Sequence, residues 1–331
     1  MRDRLTYLGI FCIACSSLIA EILLTRISSV ISWYHLAFFV ISLAMLGMTV
    51  GAIWVFLRKD EFAPEAVPRQ LANYSALFAL MAPLTMALAM SMPLMPVSSL
   101  MDFFALLTFG GLFGLPFVAG GVVLTLALTR AGLSPALAYG VDLIGAAVGC
   151  ALVIPILAVA DAPSGMLLAS ALAALAGLCF ARAAELPIGR HALLIAALVG
   201  LAVANRAPKG EFAPLRPGWV KGDHEDPSSM QWVAWNTYSR ITVDNDIHFP
   251  PVNWGESPLI PQALKAELDQ RNIKIDGAAA TMMAKHGNEL EKHGYLDWDI
   301  TSFAHLLRPD GPAAVIGVGG GRDLLAAARA G

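Results

Sequence analysis

Seven apolar segments fill the first 205 residues of the chain, separated by short and more polar stretches. A helix needs about 20 mostly apolar residues to cross a hydrocarbon core of about 30 Å. Six segments reach or approach this length, and the seventh is shorter. They cover residues 7–27, 33–57, 71–95, 103–129, 135–160, 164–181 and 191–204. The pattern predicts an α-helical polytopic membrane bundle of about seven spans over residues 1–206.

Charged residues are scarce in this region and common after it. They form 14% of the whole chain, against about 25% in a typical soluble domain. Residues 1–206 hold 19 of the charged side chains, whereas the remaining 125 residues hold 28. The shift marks a boundary near Asn205, followed by a linker at 207–231. The net charge of −3 argues against a nucleic-acid partner, which requires a basic face.

The four cysteines all lie in apolar runs: Cys12, Cys15, Cys150 and Cys179. This placement predicts buried thiols, with neither a disulfide framework nor a metal site.

Basic residues predict the orientation of the bundle, because short cytoplasmic loops are enriched in Lys and Arg. Those on one side are Arg2, Arg4, Arg58, Lys59, Arg69, Arg130, Arg182 and Arg190. The other side has only Arg26, at the end of the first span. We therefore expect a cytoplasmic N-terminus, in what is most simply a bacterial inner membrane. Seven full spans would place residues 206–331 outside the cytoplasm, whereas an interfacial seventh segment would leave them inside.

Three ionisable residues fall within the predicted spans: Glu21, Arg26 and Asp142. Charged groups are costly in lipid and usually face the bundle interior, so they mark candidate functional positions. For Arg26, near a span end, the favoured interpretation is that it reaches the lipid headgroups. Glu21 and Asp142 differ in depth by roughly 15 Å at 1.5 Å per residue, so we expect no direct bond between them.

Glycine pairs four residues apart place two glycines on one face of a helix, where backbones can approach closely. The pairs are Gly47 and Gly51, Gly110 and Gly114, and Gly145 and Gly149. They predict close helix packing.

The soluble part shows shorter and mixed patterns. We predict strands at 239–243 and 272–275, the second ended by Asp276-Gly277, and a loop at 253–258. Short helices are predicted at 261–270 and 296–307. Together these elements form a small β-containing segment at 232–311.

A glycine-rich turn near the end of the chain is its most specific motif. An apolar run at 313–316 leads into four glycines and then an alanine-rich segment. This order predicts the first strand, turn and helix of a Rossmann-like domain over 312–331, in which the helix N-terminus faces a ligand. The candidate cofactor-binding residues are Gly317, Gly319, Gly320, Gly321 and Asp323. A single β-α unit cannot form a parallel sheet, so we expect this chain to be part of a longer protein.

Several pieces of the sequence, in this order along the chain, resemble the integral-membrane spermidine synthase-like proteins. They are 20–26 (AEILLTR), 139–149 (YGVDLIGAAVG), 235–240 (WNTYSR), 275–277 (IDG) and 315–323 (VIGVGGGRD). The resemblance implies a membrane-anchored transferase of the aminopropyl- or methyltransferase type. Its small β-domain would precede a Rossmann-like domain that binds S-adenosylmethionine or its decarboxylated form, with Gly317, Gly319 and Gly321 lining the nucleoside site.

The chain departs from the soluble spermidine synthases at three places. Gly320 stands where their glycine loop has an acidic residue, and Ala280 where they have a glutamine. Residues 299–301 stand where they have Tyr-His-Glu, so that only His305 remains in step. No catalytic residue is assigned, since the base that such a transfer needs is expected beyond Gly331.

Two other interpretations remain open. The bundle could be a transporter or channel with a ligand-sensing soluble domain, for which Glu21 and Asp142 are the motivation. The soluble domain could also be an inactive transferase relative on a membrane scaffold. The expected partners are the lipid bilayer and a small nucleoside ligand.

Overall fold

The structure, a computed structural model, describes residues 2–308 and 311–331 and begins with seven consecutive α-helices. Six of them are long and apolar enough to cross a membrane; the seventh has 17 residues. The helices are α1 (Arg2–Ile31), α2 (Tyr34–Leu57), α3 (Val67–Met90), α4 (Leu100–Thr129), α5 (Pro135–Val159), α6 (Ala162–Ala183) and α7 (Gly189–Asn205). The predicted helical membrane region is thus confirmed as six helices of membrane-spanning length followed by a shorter one.

Proline and small polar residues set the helix ends. α3 starts before the predicted 71 because Pro68 suits the first turn of a helix. It stops at Met90, short of the predicted 95, since Pro93 and Pro96 cannot continue it. α4 begins with a capping box in which Ser99 and Asp102 satisfy each other's backbone N–H groups.

Close backbone contacts hold the helices together, as the glycine pairs predicted. α1 packs against α5 and α6, and α2 against α4. A Cβ at Gly145 would lie 2.6 Å from the carbonyl oxygen of Phe11, and one at Gly149 would lie 2.5 Å from that of Cys15. Gly47 lies equally close to the backbone of Gly114 on α4. Such contacts matter in lipid, where apolar burial gives helices no drive to associate.

The short helix α7 runs the length of the bundle beside α6. At its start His191 Nε2 lies 3.2 Å from the carbonyl oxygen of Ala72, near the beginning of α3. At its end the Asn205 side-chain amide donates to Ser164 Oγ over 2.9 Å, at the beginning of α6. Because α3 and α6 run in opposite directions, their first turns lie at opposite ends of the bundle. α7 therefore carries the chain to the end opposite the N-terminus.

The residues that follow α7 stay at this end. A two-residue hairpin forms from β1 (Trp219–Val220) and β2 (Asp223–His224). Just before it, the Gly218 N–H donates to the Met90 carbonyl at the end of α3. The Lys221 N–H donates in the same way to the Ile31 carbonyl at the end of α1.

The chain divides into two compact units. The first comprises the residues through Glu225 together with Ala234–Ser239, and the second comprises Asp226–Val233 and Arg240–Gly331. A sheet follows the hairpin, with the order β3-β4-β6-β5 and with β7 also pairing with β6. Its strands are β3 (Met230–Trp235), β4 (Arg240–Asp244), β5 (Ile247–Phe249), β6 (Leu268–Ile275) and β7 (Ala279–Ala284).

β6 is the central strand of the second unit. β7 pairs antiparallel along its length, while β4 and β5 share the other edge. The turn from β6 to β7 places Asp276 at φ 48° and Gly277 at φ 77°, as expected for the predicted Asp-Gly strand end. The predicted helix at 261–270 is wrong beyond its first half: only Gln262–Lys265 form a 3₁₀ turn, and Leu268 already begins β6.

The predicted helix at 296–307 is also broken. Leu290–Trp298 and Ile300–Ser302 are 3₁₀ segments, and only α8 (Phe303–Leu307) is α-helical. The interruption falls at Asp299, whose side chain accepts from the Thr301 N–H and so competes with helical hydrogen bonding.

The last helix, α9 (Arg322–Ala330), follows the glycine turn as predicted. The segment 313–316 is not a strand, because no described strand lies beside it to take up its backbone hydrogen bonds. Ile316 is 99% exposed.

Candidate functional site: a cleft beside the glycine turn

The glycine turn uses backbone conformations that other residues avoid. Gly317, Gly319 and Gly321 have φ values of 75°, 53° and 83°. Gly321 is also the residue that precedes α9, and no side chain caps that helix. The first N–H groups of α9 therefore have no side-chain acceptor, which is the arrangement that suits a ligand at a helix N-terminus.

The turn packs directly on β7. A Cβ at Gly320 would overlap the carbonyl oxygen of Met282, and one at Gly319 would lie 3.1 Å from Cγ2 of Thr281. Gly320 is therefore required for close approach of two backbones and not for an unusual φ. The contact fixes the glycine turn against the sheet within the second unit.

A cleft of about 300 Å³ opens where the turn meets the sheet. Its walls come from β6, β7, the loop before Leu268, Tyr295 and the start of α9. The lining residues are Val252, Trp254, Gln270, Asn272, Ala280, Thr281, Met282, Ala284, Tyr295, Gly320, Arg322 and Leu325. Of the five residues predicted to bind a cofactor, Gly320 lines the cleft, while Gly317, Gly319, Gly321 and Asp323 lie in the adjoining turn and first helical turn.

Arg322 and Asp299 form an ion pair at this site. The Arg322 guanidinium is ion-paired with Asp299, whose side chain is completely buried. Arg322 also donates to the Val252 carbonyl over 3.2 Å, and its guanidinium carbon lies 5.8 Å from the ring centroid of Trp254. The guanidinium is thereby held in one place at the wall of the cleft.

Asp299 is surrounded by donors. It accepts from the Trp254 N–H at 2.8 Å and from the Thr301 N–H and hydroxyl at 2.9 and 3.0 Å. Burial raises the pKa of this carboxyl, but the Thr301 hydrogen bonds and the charge of Arg322 outweigh it and hold the pKa below its ordinary value. Asp299 is therefore an ionised anchor for Arg322, and its oxygens are already occupied.

Neutral polar groups complete the walls. The Gln270 amide nitrogen donates to the Phe249 and Pro250 carbonyls, and that of Asn272 donates to Asp244. Tyr295 is 5% exposed, and burial raises the pKa of its phenol. Tyr295 is thus a neutral hydroxyl at physiological pH.

The three intramembrane candidates do not form one site. Arg26 donates to the carbonyl oxygens of Tyr238 and Thr237, at 2.7 and 2.5 Å. It therefore binds backbone carbonyl groups within the first unit. The sequence had favoured a contact with the lipid headgroups instead. Glu21 and Asp142 are half-buried, and neither carboxylate has a hydrogen bond or ion pair among the described residues.

The sequence pointed to the glycines but not to the groups that surround them. Trp254, Asp299 and Arg322 are far apart along the chain and meet only through the fold. The one local signal was the Asp299-Ile-Thr301 spacing, which is typical of a side chain that accepts from the backbone two residues on.

Comparisons with protein families, with curated proteins and with solved structures found no match to this chain.

Proposed function

We propose that this chain is a membrane-embedded transferase of the spermidine synthase-like type, in which the second unit binds an S-adenosyl nucleoside ligand in the cleft beside the glycine turn. The observation that carries the proposal is the contact of Gly320 with β7, which places the uncapped start of α9 at the edge of a cleft. The cleft volume is at the lower end of the range of about 300–1,000 Å³ typical of small-molecule sites.

Each part of the cleft has a role in holding such a ligand. Trp254 is 72% exposed and offers a flat face for a purine ring. The start of α9 and Arg322 provide donors and positive potential for polar substituents. The Tyr295 hydroxyl and the side-chain oxygens of Gln270 and Asn272 provide further hydrogen-bonding groups in the lining.

An S-adenosyl ligand would supply a sulfonium from which a carbon group is transferred. The acceptor's lone pair forms the new bond to that carbon, the carbon–sulfur bond breaks, and its electron pair stays on sulfur. The acceptor's proton passes to a base. Asp299 is occupied by Arg322 and backbone donors, and Tyr295 is protonated, so the described residues of the cleft serve to bind and orient.

The proposal includes a place in the cell. With the basic loops on the cytoplasmic side, the N-terminus is cytoplasmic and the membrane is a bacterial inner membrane. The hairpin that follows α7 then lies on the outer side.

The proposed function is tested by adding a side chain at the point where the turn packs against the sheet. Gly320→Ala places a methyl group against the Met282 carbonyl, so the turn must shift and the cleft must change shape. We expect isothermal titration of the full chain in detergent to show nucleoside binding weakened about tenfold or more, which corresponds to about 1.4 kcal/mol.

Gly287→Ala is the matched control, because a Cβ there meets only Leu325 at 3.5 Å, an ordinary contact. Titrations with S-adenosylmethionine, its decarboxylated form and methylthioadenosine cover the nucleoside class. If none of them binds the unsubstituted chain, the proposed function is wrong.

A further inference from the structure

The residues that line the cleft carry no negative charge, which is unexpected for a site that binds polyamines. Among the residues that line it, Arg322 is the only one with a full charge at neutral pH, and none is Asp or Glu. Polyamines and their amine-bearing donors are recognised through carboxylates, which offset the cost of removing an ammonium group from water. The described cleft offers no such group.

Two carboxylates near the cleft are already used, and a third, Asp323 in the first turn of α9, is exposed and does not line the cleft. Asp299 lies fully buried behind Arg322 and is bonded to Arg322, Trp254 and Thr301. Asp244 is paired with Lys274 at 2.7 Å and accepts from Asn272. A ligand that enters the cleft therefore meets the guanidinium and the neutral amides of its lining, and not Asp299 or Asp244.

The start of α9 also presents N–H groups that no capping side chain accepts from. Nine residues of helix begin at Arg322, and Gly321 before it provides no capping side chain. Helix N-termini favour negative groups, which here could lie beside both the free N–H groups and the guanidinium.

Position 320 of the turn also has no room for an acidic side chain. Gly320, where soluble spermidine synthases have an acidic residue, faces the Met282 carbonyl at a distance that excludes any Cβ. The lack of a carboxylate at position 320 is thus fixed by the packing of the turn on β7.

We propose that the cleft selects S-adenosylmethionine, through the carboxylate of its methionine part, over decarboxylated S-adenosylmethionine, and that the group which accepts the transfer is not a polyamine. This inference rests on the proposed nucleoside-binding function and specifies its ligand. Decarboxylation removes the only negative group of the ligand and leaves two positive ones facing Arg322. Aminopropyl transfer requires the decarboxylated form, so the preference excludes polyamine synthesis at this site.

The test compares three ligands by isothermal titration on the purified full chain in detergent. S-adenosylmethionine should bind about tenfold or more tightly than its decarboxylated form, because decarboxylation removes a negative charge that would lie close to a guanidinium. Arg322→Gln should reduce this ratio toward one. Arg308→Gln is the matched control, because Arg308 is exposed and outside the cleft, and it should keep the ratio.

A second variant leaves the ion pair intact. Arg322 neutralises the buried Asp299, so its replacement also affects folding. Thr281→Asp instead adds a carboxylate to the wall beside the glycine turn. It should shift the preference toward the decarboxylated ligand, while Thr281→Asn, of the same size and uncharged, should not.

The outcomes separate this inference from the proposed function. If the decarboxylated ligand binds as tightly as S-adenosylmethionine or more tightly, the ligand assignment is overturned and nucleoside binding stands. Equal binding of methylthioadenosine, which lacks the amino-acid part, would overturn the carboxylate contact in the same way. If no nucleoside binds, both proposals are overturned.

Discussion

At the scale of single residues, Asp299 connects three parts of the candidate site. These three of its contacts define the parts that it joins: its carboxylate holds Arg322, the backbone of Trp254 and the turn at Thr301. The sequence identified the glycines of this site, because a run of glycines between an apolar segment and a helix is typical of a turn that approaches a ligand. It could not identify Asp299 and Arg322 as partners, since their pairing depends on a tertiary contact between residues 23 apart.

Removing this carboxylate should destabilise the second unit. Asp299→Asn leaves the guanidinium of Arg322 largely buried without its counter-ion, which typically costs about 3–5 kcal/mol. Urea unfolding of the full chain in detergent, followed by circular dichroism, should show an earlier loss of the sheet signal. Asp297→Asn is the control: that side chain is 52% exposed in its pair with Arg329, so its loss should cost less than about 1 kcal/mol.

The same pair predicts a pH dependence. The folded pKa of Asp299 lies below its unfolded value of about 3.9, so the ionised carboxylate stabilises the folded state above that value. This stability is lost as the pH falls through the folded pKa. Asp299→Asn should therefore flatten the stability profile below about pH 4; an unchanged profile would contradict the role of this carboxylate.

At the scale of elements, the membrane helices and the soluble elements differ in how well the sequence predicted them. A long apolar run forms a helix in lipid, and the predicted spans therefore lie within a few residues of the observed helices. The soluble segments at 261–270 and 296–307 had helical patterns, but sheet pairing of β6 and the side chain of Asp299 took precedence over local propensity. The predicted strand at 313–316 has no described neighbour with which to pair.

The contact between α1 and α5 gives a test at this scale. Gly149→Ala would place a methyl group 2.5 Å from the Cys15 carbonyl oxygen, so the two helices must separate. We expect the substitution to cost about 1–3 kcal/mol, which a thermal-unfolding assay in detergent would detect as a lower midpoint.

Gly140→Ala on the same helix is the matched control, because nothing lies within 4 Å of a Cβ at that position. Alanine is the better helix former by about 1 kcal/mol. The control should therefore keep or raise the midpoint. Equal effects of the two substitutions would show that the close contact contributes nothing.

At the scale of the whole molecule, α7 determines where the chain leaves the bundle. The sequence left two possibilities, because the seventh apolar segment, at 191–204, is shorter than a span requires. The contacts of His191 with Ala72 and of Asn205 with Ser164 show that α7 reaches from one end of the bundle to the other. Contacts between residues 119 and 41 positions apart cannot be read from hydropathy.

This path predicts opposite accessibility for two exposed loops. Asp60→Cys lies between α2 and α3 at the N-terminal end, and Asp223→Cys lies in the hairpin at the other end. With the proposed orientation, a membrane-impermeant thiol reagent should label Asp223→Cys in spheroplasts and Asp60→Cys only after lysis. Labelling of both or neither before lysis would contradict the path of α7, and the reverse order would contradict the cytoplasmic N-terminus.

The division into two units has a practical consequence. The chain passes from one unit to the other three times, after Glu225, after Val233 and after Ser239. No single cut therefore separates the units cleanly. A recombinant fragment that begins at residue 240 lacks a piece of its own unit, whereas one that begins at 226 includes six residues whose contacts belong to the other. Expression of the second unit alone calls for a designed bridge that replaces 234–239, or for retention of the N-terminal helices.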